Sequence, residues 1–291
     1  MYYYHKLQKL LEHIEGAYAD NTIRAYRIDM NDFIAYCNRF AQCPWPAEPE
    51  TVATYLLDHL NRDLKASTIQ RRYSSISAIH RLSHMVDPTK HPEAKLALRK
   101  INRKLGTRMQ QAAPITQTLL NELVKQCDDS LRGLRNKALL LTGYDTLCRR
   151  SELVAIRIED IEIDWNGNAR VWIRRSKTDQ EGTGQQVPIS PRTLEVIHQW
   201  IDKAQIEHGF LFRGITNRNE ILPSLGSGQI NRISKSLAKN AGLSEEEVLK
   251  IRGHSLRVGG AVDLVKNGAT VPQIMLRGRW SKPEIIYRYT Q

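Results

Sequence analysis

Apolar positions in the first hundred residues recur every three or four places, the period of a helix with one buried face. Ile23, Tyr26, Met30 and Phe33 form one such stripe, and Asp20, Asn21 and Thr22 offer capping side chains at its start. Pro44-Trp45-Pro46-Ala47-Glu48-Pro49 breaks the pattern, because successive prolines bar regular helix. A helix over residues 50–64 is expected next, then another over 67–80 with Ser67 or Thr68 as its cap. Pro88 and Pro92 bracket a break before a basic helix ending near Lys104. Residues 106–114 lack an apolar period and end in proline, which marks a linker between a domain over 1–105 and a second over 115–291.

The second domain mixes periods. Thr116 is placed to cap its first helix, and residues 134–146 are apolar enough for a buried one. Another helix is expected from Arg149 to about Asp160. Residues 169–174 and 185–189 have the β-branched and aromatic cores of strands, joined by a polar turn over 176–184. The remainder returns to helical spacing, with no internal repeat. The expected fold class is mainly α: an all-helical N-terminal domain, then a mostly helical α+β domain with a small antiparallel sheet.

Charge adds a partner to this picture. Among 291 residues, 43 Lys and Arg face 31 Asp and Glu, a formal net charge of +12. Such an excess predicts an anionic partner, since basic side chains displace the counterions condensed on nucleic acid. No run of ~18 apolar residues is present and the N-terminus lacks the apolar core of a secretory signal, so a cytoplasmic protein with no membrane partner is expected. Cys37, Cys43, Cys127 and Cys148 show neither CxxC nor zinc-type spacing and read as reduced thiols.

The candidate chemistry is concentrated in the second domain. His254 and Arg257 are three apart, so on a helix they share a face, and Gly253 with its polar context suggests the helix start. Arg149 and Arg150 precede Ser151-Glu152-Leu153, and adjacent helical positions point ~100° apart, so only one of the pair easily faces a site. Arginine forks match phosphate oxygens, and a tyrosine hydroxyl serves as a covalent nucleophile when its surroundings activate it. His254 is suited to accept or shuttle a proton. Lys177 is the only lysine between the two expected strands and is placed to protonate a leaving oxygen. Trp280 has an indole N–H to offer a phosphate, and Glu152 is suited to orient Arg149 or His254. Tyr287 and Tyr289, two apart, face opposite ways on a helix.

Taken in order, Arg149, Lys177, His254-x-x-Arg257, Trp280 and Tyr289 resemble the active-site set of the tyrosine recombinases, the phage-integrase family. The likeness extends through Thr146–Leu153, Gly253–Gly259 and Ile274–Trp280, and the step from Trp280 to Tyr289 fits the family's spacing. That spacing selects Tyr289 over Tyr287 as nucleophile. The resemblance implies a C-shaped clamp on double-stranded DNA and a homotetramer that synapses two inverted-repeat sites. It further implies strand exchange through a 3′-phosphotyrosyl bond and a Holliday junction, with no metal or other cofactor. Arg24, Ser67, Arg71 and Arg232 fall on helices resembling the family's DNA-contacting ones. Two departures stand out. Val258 replaces a histidine common after the HxxR arginine, and only Thr290 and Gln291 follow Tyr289 where relatives carry a further docking helix. The expectation is that assembly differs or that the sequence is trimmed there. A type IB topoisomerase or telomere resolvase shares this chemistry, and a non-catalytic DNA-binding regulator is the alternative of another class.

Overall fold

A computed structural model of the chain describes residues 1–106, 111–174 and 183–290, in two compact units, Met1–Gln110 and Gln111–Gln291. The first unit consists, among its described residues, of helices α1 (Tyr2–His13), α2 (Asp20–Arg39), α3 (Pro49–Asp58), α4 (Ala66–Leu82) and α5 (Pro92–Leu105), with short 3-10 turns between. Of the predicted stripe, Met30 and Phe33 are buried while Ile23 and Tyr26 are partly buried against the same core. That core also takes in Ile34 and Cys37, Leu7 and Leu11 of α1, Val52 and Leu56 of α3, Ile76 of α4 and Ile101 of α5.

Several helix starts differ from the sequence-based expectation. Ala19 rather than Asp20–Thr22 is the N-cap of α2, and Lys65 rather than Ser67 or Thr68 is that of α4; neither start has a side-chain cap bond. The polar residues sit inside the first turn instead, where Asp20 still faces the positive end of the helix dipole. The helix expected over 50–64 begins with Pro49 in its first turn, where a missing N–H costs nothing, and gives way after Asp58 to a 3-10 turn over His59–Asn61. A buried polar seam ties α2 to α4. Asp29, fully buried, accepts from the Ser75 hydroxyl at 2.7 Å and pairs with Arg71 at 3.0 Å. Burial raises the Asp29 pKa, and these two partners work against that rise.

The second unit runs α6 (Gln117–Lys125), α7 (Leu131–Thr146), α8 (Arg150–Ala155), β1 (Ile161–Ile163), β2 (Ala169–Ile173), β3 (Gln185–Ile189), α9 (Pro191–Ala204), α10 (Gly228–Asn240), α11 (Glu245–Lys250), α12 (Ser255–Lys266), α13 (Val271–Gly278) and α14 (Glu284–Thr290). The sheet is antiparallel in the order β1-β2-β3, with Val171 opposite both Ile161 and Val187. Ala169, Val171 and Ile173 of β2 point into the core and Arg170 points out, the period-two pattern of a half-buried strand. Trp200 of α9 is fully buried and donates its indole N–H to the Leu211 carbonyl at 2.8 Å.

The helix expected from Arg149 to Asp160 ends at Ala155, and β1 follows it as a third strand. Tertiary pairing stops the helix: the Ile156 carbonyl accepts from Leu211 N–H, and Ile158 N–H donates to the Gly209 carbonyl. Thr116 is the N-cap of α6 but makes no side-chain cap bond, whereas Ser130 caps α7 through the Gly133 N–H at 3.1 Å. Among the described residues no helix is long and apolar enough to cross a membrane.

Helix α12 is anchored by a close backbone approach. Ile115 N–H donates to the Ser255 carbonyl at 2.9 Å, and a Cβ placed on Gly259 would lie 1.8 Å from the Ile115 carbonyl oxygen. Gly259→Ala must therefore push backbone from backbone. It is expected to lower stability by at least ~2 kcal/mol, the scale of core overpacking, visible as a shift in urea midpoint. An unchanged midpoint would show that the approach is not a constraint.

Candidate active site

The site is organised by the turn at the end of α7. Leu147 adopts a left-handed backbone conformation, φ 51° and ψ 32°, which a residue with a Cβ disfavours. Three contacts hold it there. Its side chain is buried with Ala261, Ile274, Trp280 and Ile286. Its carbonyl accepts from Arg257 Nη1 and, at 3.4 Å, from Arg279 Nη2. Gly260 of α12 admits its Cδ2 to a spot only 2.4 Å from where a Cβ would stand. Strain held by such surroundings is typical of working sites.

The turn delivers Arg149 to the N-cap of α8. Glu152, one turn on, reaches back to it: Oε2 accepts the Arg149 backbone N–H at 2.9 Å and Oε1 accepts Nη1 at 2.7 Å. Arg279 donates to the same carboxylate at 3.1 Å. Arg150 points elsewhere, its side chain lying across Gly253, where a Cβ would meet Arg150 Cδ at 1.9 Å. Arg149 is the one of the pair joined to the carboxylate, and its extended N-cap backbone, rather than a step between helical positions, sets it apart from Arg150.

Helix α12 brings the second arginine. His254 is its N-cap and Arg257 lies one turn in. Arg257 is 2% exposed, its guanidinium lies 4.0 Å from the Trp280 ring centroid, and its Nη2 is buried with no acceptor among the described residues. Trp280 is seated on Gly278, where a Cβ would lie 1.9 Å from the ring. Its ring meets Tyr289 of α14 edge-on, centroids 5.9 Å apart. Tyr287 lies on the exposed side of the same helix, at 53% exposure.

The electrostatics follow from crowding like charges around one acid. Burial, then the charges of Arg149 and Arg279, bring Arg257 down to about 10, still charged at neutral pH. His254 stays accessible to solvent, yet the protein atoms around its ring, and then Arg257, Arg150 and Arg149, lower its pKa. The imidazole is therefore uncharged at neutral pH and free to accept a proton. Burial pushes the Glu152 carboxyl up, but hydrogen bonds from Arg149 and the Arg279 charge outweigh it and hold the group below its usual range. Three guanidinium groups against one carboxylate leave an excess of two positive charges, and Arg257 retains a buried donor. An anion with several oxygens satisfies both.

Arg149, Glu152, His254, Arg257, Trp280 and Tyr289 thus lie in one unit and are linked through contacts or mutual charge. Lys177 lies outside the described residues; β2 and β3 flank its segment. Arg24 and Ser67 are exposed on α2 and α4, and Arg232 is exposed on α10. Arg71 is partly committed to Asp29, with its side chain 44% exposed. Sequence reasoning assigned no role to Arg279, although it sits between Gly278 and Trp280, because neither spacing nor period signals an arginine turned inward at a helix end.

Residues 114–291 match the phage integrase family, and residues 7–83 match the phage integrase N-terminal SAM-like domain. The integrase/recombinase xerD homolog of Selenomonas ruminantium is 34% identical, over 97% of this chain and 85% of that protein. The recombinase cre of Escherichia phage P1 is 27% identical, over 94% of this chain and 84% of its own. Among solved structures, the Tn1549 transposon integrase in complex with transposon right end DNA shares the fold with a TM-score of 0.67 at 14% identity, over 98% of this chain and 94% of that one. A lambda integrase dimer bound to a COC′ core site gives 0.66 at 14% identity, over 100% and 95%. With a family match across more than half of its length and a relative 34% identical across nearly all of it, the chain belongs to the phage integrase family.

Proposed function

We propose that this protein is a site-specific DNA recombinase that breaks and rejoins strands through Tyr289. One stack of side chains carries the reading: Arg257, with its buried unpaired donor, lies over Trp280, and the Trp280 ring meets Tyr289. Tyr289 is also near enough to act on the charge of Arg257, so a phosphate that completes the hydrogen bonding of Arg257 would lie in the neighbourhood of the phenol.

In this reading the Tyr289 hydroxyl attacks the scissile phosphorus, and its proton passes to the uncharged His254. Arg149 and Arg257 hold the negative charge that grows on the nonbridging oxygens, the usual means by which preorganised donors lower such a barrier. The bond to the 5′ oxygen breaks, and Lys177 protonates that oxygen. The product is a 3′-phosphotyrosyl link and a free 5′ hydroxyl. The link keeps the free energy of the broken bond, so a 5′ hydroxyl from a partner duplex reverses the chemistry and passes the strand through a Holliday junction. Double-stranded DNA is the partner that a net charge of +12 favours, and relatives of the same fold are seen on DNA. Two copies on an inverted-repeat site and four across two sites supply one Tyr289 per strand. Arg24, Ser67, Arg71 and Arg232 are assigned to DNA contact, chiefly with phosphates.

The test mixes two differently labelled duplexes carrying the element's own site. Exchanged products with a covalent protein–strand intermediate are expected. Rejoining of the original strands alone would indicate a topoisomerase, hairpin ends a telomere resolvase, and binding without breakage a regulator.

A further inference from the structure

We propose that Arg279 is a positioning residue that arms both phosphate-binding arginines at once, through the Glu152 carboxylate for Arg149 and through the Leu147 carbonyl for Arg257. The inference rests on the recombinase reading and adds to it a residue that neither the motif nor the chemistry of the step requires.

Arg279 stands just past the end of α13 with φ 56° and ψ 47°, a left-handed position where glycine is at ease and a residue with a Cβ is strained. Its side chain is only 6% exposed. Both terminal nitrogens are spent on the site's framework: Nη1 and Nη2 donate to the carbonyls of Thr146, Leu147 and Arg277, to Glu152 Oε2 and towards Cys148 Sγ. Nε is buried without an acceptor among the described residues. Burying a third guanidinium beside Arg149 and Arg257 raises the electrostatic cost of the site. Such an arrangement persists when the group fixes the geometry of its neighbours.

The effect on Arg149 runs through one oxygen. Glu152 Oε2 is held from two sides, by the Arg149 backbone N–H and by Arg279, while Oε1 holds the Arg149 Nη1. Without Arg279 the carboxylate keeps only its two bonds to Arg149 itself, so no group outside that pair fixes where the Arg149 fork points. The effect on Arg257 runs through Leu147, whose carbonyl both guanidinium groups share. Arg279 also immediately precedes Trp280 and lies on the segment leading to Tyr289. Seating that segment therefore completes the arginine pair: nucleophile and phosphate clamp are made ready together.

The test measures single-turnover cleavage of a nicked suicide duplex, and DNA affinity on the same duplex, for wild type, Arg279→Gln, Glu152→Gln and the double variant. Arg279→Gln is expected to slow cleavage by ~10–100-fold, the scale of a small misplacement of a catalytic group, and to change DNA affinity by less than about threefold, since its side chain is buried and bonded to protein groups. In the Glu152→Gln background the share of its effect that runs through the carboxylate should disappear, because residues acting through one another are not additive. Only the share that runs through the Leu147 carbonyl should remain. Arg279→Lys, which keeps the buried charge, carries the same comparison should Arg279→Gln fail to fold. Wild-type cleavage in Arg279→Gln, a full effect retained in the Glu152→Gln background, or affinity falling in step with rate would each overturn the inference. A Tyr289→Phe control reports on the parent reading separately. Loss of the adduct there, beside an unaltered Arg279→Gln rate, sinks the Arg279 role and leaves the recombinase standing.

Discussion

Tyr289→Phe removes the SDS-resistant protein–DNA adduct while leaving DNA binding intact. The substitution deletes one oxygen and keeps the ring that meets Trp280 at 5.9 Å and packs beside Ile286, so the fold of the segment is preserved. Losing the covalent nucleophile should cost at least ~10³-fold in cleavage, since no neighbouring group replaces it. Tyr287→Phe is the informative companion. Two helical positions away, Tyr287 is rotated by ~200° and stands 53% exposed on α14. It should cleave at the wild-type rate. Both variants are read on a denaturing gel with a suicide substrate that traps the first cut. An adduct surviving in Tyr289→Phe, or one lost in Tyr287→Phe, would reverse the assignment of the two tyrosines.

The contrast between these tyrosines shows which features the sequence carries openly. A local period predicts relative direction along one helix, so the opposed faces of Tyr287 and Tyr289, and the proximity of His254 to Arg257, can be read without coordinates. The core stripe through Met30 and Phe33 and the alternation in β2 are legible for the same reason. Features set by distant backbone are not. Helix α8 stops at Ala155 because Ile156 and Ile158 bond to the segment around Gly209 and Leu211, which lies some fifty residues away in the chain. The helix starts at Ala19 and Lys65 were missed because a capping residue type is common inside first turns as well as before them. Arg279 was hidden for a third reason. Its role depends on a left-handed turn after Gly278 and on a carboxylate 127 residues earlier, and nothing in Gly278-Arg279-Trp280 states that the side chain turns inward.

Arg257→Lys should lower cleavage by ~10²–10³-fold, the loss seen when one preorganised donor to a developing oxyanion is removed, while DNA affinity changes by less than ~10-fold, the scale of one phosphate contact among many. The native fork does three things at once. It stacks on Trp280 at 4.0 Å, it donates Nη1 to the Leu147 carbonyl, and it keeps Nη2 buried and uncommitted. A lysine ammonium is a compact point charge without a planar face, so it cannot stack, anchor the turn and still present a directed donor. The charge is retained in this variant, which separates geometry from electrostatic attraction as the source of the effect. Arg257→Ala would confound the two by opening a void beside Trp280 and freeing the strained Leu147 backbone. Single-turnover cleavage rates and thermal unfolding should be measured together. A slow variant with a nearly native unfolding midpoint supports the directed-donor role. Cleavage near the wild-type rate would mean that positive charge alone suffices, and that the stack of Arg257, Trp280 and Tyr289 is packing rather than machinery.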